Sequence, residues 1–172
     1  AALRVSAPAA GVCSHSARGN QWKRLTQGVR NLAGGAMPTP VKDRFSLDGQ
    51  VAVVTGAGRG IGAGIARAFA ECGACVVLAA RRTQEIESVA QEIRAAGGEA
   101  IAVTTDVTDD KALDALARAA VDAFGKLTIW VNNAGGSPMR MPLKDLPRAE
   151  WDRTIALNLT SIYTGSITAA RY

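Results

Sequence analysis

Two kinds of apolar pattern alternate along the chain from residue 50. Short unbroken apolar runs, QVAVVT (50–55), CVVLAA (75–80), AIAVTT (100–105) and LTIWVNN (127–133), alternate with stretches whose apolar residues recur three or four positions apart. Ile61, Ile65 and Phe69 fall at i, i+4 and i+8 and stop near Gly73. Ile86, Val89, Ala90 and Ile93 form a second stripe closed by Gly97 and Gly98; Leu113, Leu116, Ala117, Ala120 and Phe124 form a third, ended by Gly125. Each stripe predicts an amphipathic helix between two strands, and a last helix is predicted from about Ala149 to Tyr172. Strands that are apolar throughout need cover on both faces, which antiparallel sheets with one wet face do not give. The pattern therefore predicts an α/β fold: a doubly wound parallel sheet, strand order 3-2-1-4, with helices on both sides.

Composition refines this picture at the N-terminus. The 172 residues are 48% hydrophobic, enough for one domain with a core, and contain no apolar run of membrane-spanning length. A net charge of +5 suggests nucleic acid, but residues 1–42 hold six Lys/Arg and no acid, whereas residues 43–172 hold fourteen Lys/Arg against fifteen Asp/Glu. The basicity belongs to the leader, so neither a nucleic-acid nor a membrane partner is expected. Residues 1–42 read as a disordered or targeting-like leader, and residues 43–172 as the folded domain. With its Arg and Ser and no acids, the leader fits an organelle transit peptide. The favoured reading is upstream sequence translated ahead of a start at Met37, which leaves a cytoplasmic protein. The only histidine, His15, lies in this leader. Cys72-Gly-Ala-Cys75 has redox spacing but sits at a helix end, where a thiolate gains nothing from the helix dipole, and two cysteines do not close a zinc site. Buried reduced thiols and no metal site are expected.

The chemistry-bearing stretch is VVTGAGRGIGAGIARAFA, where the first strand runs into glycines and then a helix. Such a junction presents free N–H groups at a helix N-terminus, suited to a phosphate. Gly56 permits the tight turn, Gly60 lets the backbone approach a pyrophosphate, and Gly62 lets the helix lie close to the strand. No Gly-Lys-Ser/Thr follows, which excludes a P-loop, and the sixth place counted from Gly56 is Ile61, so the stretch is not G-x-G-x-x-G. Placed after the first strand of a βαβ series, the loop points to a dinucleotide and hence to a Rossmann-type domain; the plainer reading is a tight βα turn.

The spacing Thr55-Gly56-x-x-x-Gly60-Ile61-Gly62 resembles the cofactor motif of the short-chain dehydrogenase/reductase family, and the resemblance extends over roughly residues 46–172. Asn132-Asn133-Ala134-Gly135 stands at the end of the fourth strand, Asp106-Val107 follows the third, and WDRTIALNLTS is similar to the family's helix carrying an active-site asparagine, here Asn158. The resemblance implies that Asp106 bonds the adenine amino group, that Val107 contacts the ring, and that Asn133, Ala134 and Gly135 border the ribose while Asn132 ties strands together. It also implies a homo-oligomer for the full-length parent.

Charge distinguishes the two nicotinamide cofactors. NAD enzymes usually end strand 2 with a carboxylate for the ribose 2′-OH. Here Ala80 stands about where that acid would be, followed by Arg81 and Arg82. A guanidinium there pairs with a 2′-phosphate, and in family members that use NADP the position of Arg59 lies near the same phosphate. NADP is expected; the plainer reading of Arg81 and Arg82 is the solvated start of a helix. Trp151, Ile155 and Ile162 share a face of the last helix and read as core or subunit contact.

The resemblance further implies hydride transfer between nicotinamide and a small carbonyl or alcohol substrate, with a tyrosine and a lysine four residues on as the proton-transfer pair. Neither Tyr163 nor Tyr172 heads such a pair, since the last lysine is Lys144. Asn158, a member of the family's proton relay, is the one catalytic-group residue identified. The expectation is the cofactor-binding portion of an NADP-dependent reductase, with no carbonyl reduction and poor solubility of its own because the sheet has an open edge. The alternative is a non-catalytic dinucleotide-binding or interaction module. The pattern after NNAG is similar to that of hydroxysteroid, ketoacyl and sugar alcohol reductases, without choosing among them.

Overall fold

The structure, a computed structural model, describes residues 45–137 and 141–172. The leader 1–42, with His15, Cys13 and Met37, lies outside the described residues. The elements are β1 (Val51–Thr55), α1 (Gly60–Glu71), β2 (Cys75–Ala80), α2 (Thr83–Ala95), β3 (Glu99–Thr104), α3 (Asp110–Phe124), β4 (Ile129–Val131), α4 (Arg148–Ile155) and α5 (Ser161–Ala169). All pairings among the strands are parallel, in the order β3-β2-β1-β4. This is the doubly wound, Rossmann-type arrangement that the alternation predicts.

The apolar character of each strand follows from this layering. Side chains alternate across a sheet, so Val54, Val76 and Leu78 point to one face and Val51, Val53, Val77, Ile101 and Val103 to the other. The first set packs with Ala63 and Ala66 of α1 and with Ile86, Val89, Ala90 and Ile93 of α2. The second packs with Leu116, Ala120 and Phe124 of α3. Ala and Gly dominate α1, so that helix lies close against its strand. The second and third helical stripes are buried throughout. The first differs: Ile65 and Phe69 reach the core, but Ile61 is 78% exposed, because it opens the helix beyond the edge of the packed layer.

Asp109 caps α3 by accepting the backbone N–H groups of Lys111 and Ala112 at 2.9 and 3.4 Å, and Gly125 ends it with φ 81°. Two expectations change in detail. β4 covers Ile129–Val131 and not 127–133, because Asn132 and Asn133 turn out of the ladder into side-chain bonds. The last helix is not one regular element: a π-helical segment, Ala156–Thr160, separates α4 from α5. Trp151 and Ile162 on its face are 46% and 39% exposed, only partly covered. Cys72 is a free, half-buried thiol, and Cys75 is buried on β2. No described helix is long and apolar enough to cross a membrane.

Candidate functional site

The C-terminal ends of β1, β2, β3 and β4 open into a cavity of about 520 Å³ at the point where chain order reverses across the sheet. This switch point is where open α/β sheets bind ligands. Gly56, Arg59, Gly60, Ile61 and Gly62 line one wall, Ala80, Arg81, Arg82 and Glu85 a second, Thr105, Asp106 and Val107 a third, and Asn133, Ala134 and Gly135 a fourth. Every predicted cofactor residue therefore faces one space. Asn158 does not line it; its neighbour Leu157 does.

The glycines have distinct reasons. Gly56 and Gly60 have φ of 67° and 57°, a region costly for residues with a Cβ. A Cβ on Gly62 would collide with the Gly56 carbonyl and the Asn133 amide, so α1 can begin against the turn only if this position is bare. Gly58 answers to another constraint: a Cβ there would stand 2.9 Å from the Glu85 Cβ and 3.0 Å from its Oε2. The first turn of α1 has no side-chain cap, and Arg59 precedes it in extended conformation. Its N–H groups thus face the cavity mouth uncapped, an arrangement that favours an anion.

Thr55 organises the floor. Its hydroxyl, on a side chain 1% exposed, donates to the Val131 carbonyl at 3.0 Å and accepts the backbone N–H groups of Asn133 at 3.0 Å and Ala134 at 3.1 Å. The Asn133 amide donates to the Thr55 carbonyl at 2.9 Å and to the Gly56 carbonyl at 3.3 Å. The turn after β4 is thereby stitched to the turn after β1. Asn132, expected to tie strands, instead accepts from Trp130 Nε1 at 2.8 Å and donates to Ser166 Oγ at 3.0 Å, joining β4 to α5. Strand-tying belongs to Asn133.

Asn158 lies in the π segment, and its side chain turns to the loop after β4. Oδ1 accepts the Gly136 N–H at 2.9 Å, while Nδ2 donates to the Gly136 carbonyl at 2.8 Å and to the Thr154 carbonyl at 2.9 Å. A Cβ on Gly135 would approach Asn158 Oδ1 to 2.8 Å. Ser161 Oγ donates to the Leu157 carbonyl at 2.7 Å, so two side chains satisfy carbonyls where the helix widens.

Asp106 accepts the Thr108 N–H at 3.0 Å and the Thr108 hydroxyl at 2.8 Å. Partial burial pushes its pKa up, but these two bonds and the Arg81 charge outweigh burial and hold the carboxyl below its ordinary value. It is thus both a turn former and an anionic wall residue. Arg82 Nη1 pairs with Glu85 Oε1 at 2.6 Å. Reading the sequence alone missed Thr55, Gly58, Glu85 and Leu157 as site residues. Thr55 carried a signal, since it heads the glycine motif; the pairing of Gly58 with Glu85 carried none, because the two come from different elements.

Residues 50–172 match the family model described as short chain dehydrogenase. The chain is 42% identical over 121 residues to the 7alpha-hydroxysteroid dehydrogenase of Escherichia coli, covering 70% of this chain and 47% of that one. A solved metagenomic short-chain oxidoreductase in complex with NADP is 46% identical with a TM-score of 0.69, over 73% of this chain and 57% of that one. A solved 7α-hydroxysteroid dehydrogenase complexed with NADH and 7-oxo glycochenodeoxycholic acid is 40% identical with a TM-score of 0.73, over 77% and 51% respectively. The chain spans less than half the length of the curated relatives it matches. A glycine turn, an Asp-Val wall and an NNAG turn converging on one switch-point cavity agree with these likenesses, and the chain belongs to the short chain dehydrogenase family.

Proposed function

We propose that residues 43–172 form the NADP-binding unit of a reductase that moves hydride between a nicotinamide and a carbonyl or secondary alcohol carbon. The observation that carries the cofactor choice is the corner of the cavity where Ala80 leaves no carboxylate and Arg59, Arg81 and Arg82 gather. A 2′-phosphate fits guanidinium donors and would be repelled by an acid at position 80. The pyrophosphate fits the uncapped start of α1, against a turn kept bare by Gly56 and Gly62. Adenine fits the wall made by Asp106 and Val107, where the carboxylate accepts an amino N–H. Hydride acceptance or donation is the chemistry that the nicotinamide supplies when bound. The chain's own part is to bind, orient and hold the turn after β4 in place through Thr55, Asn133 and Asn158.

Tyr163 is followed four residues on by Ile167, and no Tyr-x-x-x-Lys stands within residues 1–172. We therefore assign the proton-transfer pair of the whole protein to sequence that these 172 residues do not carry. Its substrate class is a small carbonyl or secondary alcohol, to which the hydroxysteroid relatives lend support.

The test is titration of the full chain with NADPH and NADH, followed by nucleotide fluorescence or calorimetry. NADPH is expected to bind at least about tenfold tighter, the scale of one charge-assisted contact. In the Ala80→Asp, Arg81→Ser double variant the preference should reverse. Equal affinities in the unmodified chain would overturn the assignment.

A further inference from the structure

The basic corner of the cavity contains a carboxylate that works against it. Glu85 lies in the first turn of α2, lines the cavity beside Arg81 and Arg82, and holds Arg82 Nη1 at 2.6 Å. The Arg82 side chain is 64% exposed and that of Glu85 33%, so the acid is the more enclosed member of the pair. Glu85 also leans on the glycine loop, at a spot open to it only because residue 58 has no Cβ. Its Cβ and Oε2 would lie 2.9 and 3.0 Å from a Cβ at that position. The carboxylate is therefore held between the glycine loop and the arginines by backbone packing and by an ion pair.

We propose that Glu85 is a specificity-determining residue that restrains binding of a 2′-phosphorylated nucleotide. This rests on the NADP reading of the corner. A dianionic group entering it meets Arg81, which acts on Asp106 but makes no salt bridge among the described residues, a paired Arg82 and a fixed negative charge. Glu85 weakens the site twice, by occupying Arg82 and by like-charge repulsion. A nucleotide with a free 2′-hydroxyl suffers neither effect and can donate that hydroxyl to a carboxylate. Glu85 thus narrows the gap between the two cofactors that the arginines open, and the chain's selectivity is the difference between opposing charges.

The experiment uses the full chain and two probes without nicotinamide, adenosine 2′,5′-bisphosphate and 5′-AMP, with Kd read by calorimetry at low and high salt. Glu85→Gln is expected to raise the ratio of bisphosphate to monophosphate affinity by about tenfold at low salt, less at high salt. Arg82→Gln in that background should return most of the gain. Glu85→Ala serves as a second charge-removing variant, and circular dichroism with a thermal midpoint confirms folding of each. An unchanged or lower ratio in both Glu85 variants, with the unmodified chain still preferring the bisphosphate, overturns the restraint and leaves the NADP reading standing. No preference in the unmodified chain but a clear one in Glu85→Gln upholds the restraint and overturns NADP selectivity. No preference in either overturns both.

Discussion

The floor of the cavity, where Thr55, Gly56, Gly62 and Asn133 meet, and its rim, where Arg59, Arg81, Arg82 and Glu85 stand, differ in what holds them. On the floor, bare glycines let backbone meet backbone, and one buried hydroxyl serves three partners. At the rim, long side chains stand in or near solvent, and the ion pair between Arg82 and Glu85 is half-open. Floor interactions are short-ranged and all-or-none, since a buried group without its partner keeps the full desolvation cost. Rim interactions are screened and graded. On the proposed reading, binding competence therefore resides in the floor and cofactor preference in the rim.

The sharpest way to break this division is Gly62→Val. The added side chain meets the Gly56 carbonyl, which is backbone, and the Asn133 side-chain amide, which is tied to the Thr55 and Gly56 carbonyls, so neither yields cheaply. The expected loss is about 3 kcal/mol of stability, with dinucleotide affinity down at least about a hundredfold. Chemical denaturation and nucleotide titration check it; near-normal binding in a folded variant would show that the floor tolerates displacement.

Thr55→Val should rank next. The shape is kept, but the half-buried Ala134 N–H loses its acceptor and the Asn133 N–H loses one of two, keeping the Val131 carbonyl at 3.1 Å. A cost of about 2 kcal/mol is expected in urea unfolding, with faster hydrogen exchange at those amides. Retention of both amide protections would show that the turn after β4 holds without the hydroxyl. Asn158→Ala tests the same turn from the other side. It removes the two bonds to Gly136 and should cost about 1 kcal/mol, with faster exchange at the Gly136 amide. Unchanged exchange there would mean that Thr55 and Asn133 hold the turn unaided.

The smallest effect is expected where the rim meets the wall. Asp106 has its pKa depressed in the folded chain, so it adds stability above the ordinary carboxylate range, and this is lost as pH falls through its folded pKa. Because the group is largely exposed, solvent screening keeps the contribution small. Asp106→Asn should flatten the acid limb of the stability–pH curve slightly; a steeper limb would reverse the sign of the argument.

The order of strands and helices, the parallel sheet and the two-sided core were legible in the sequence because apolar periodicity is local and each helix carries its own stop. Gly56, Gly60 and Gly62 were legible for a related reason, since turn, approach and close packing each demand a bare residue near a strand end. Asp106-Val107 and NNAG were found by resemblance, and the structure brings Asp106, Val107, Asn133, Ala134 and Gly135 to one cavity while Asn132 turns to α5. What required tertiary structure is who touches whom across elements. Thr55 and the turn after β4 are joined across 76 to 79 positions of chain, and Asn158 reaches Gly136 across 22. The π segment that aims Asn158 depends on side-chain acceptors and donors whose use is decided only by the loop facing them. Ile61 follows a helical stripe in sequence yet faces the cavity, because periodicity tells which residues share a face and not where that face ends. Glu85 reads as one more charged residue of a solvated first turn, and only the approach of the glycine loop, with Gly58 bare beneath it, puts its carboxylate among the arginines.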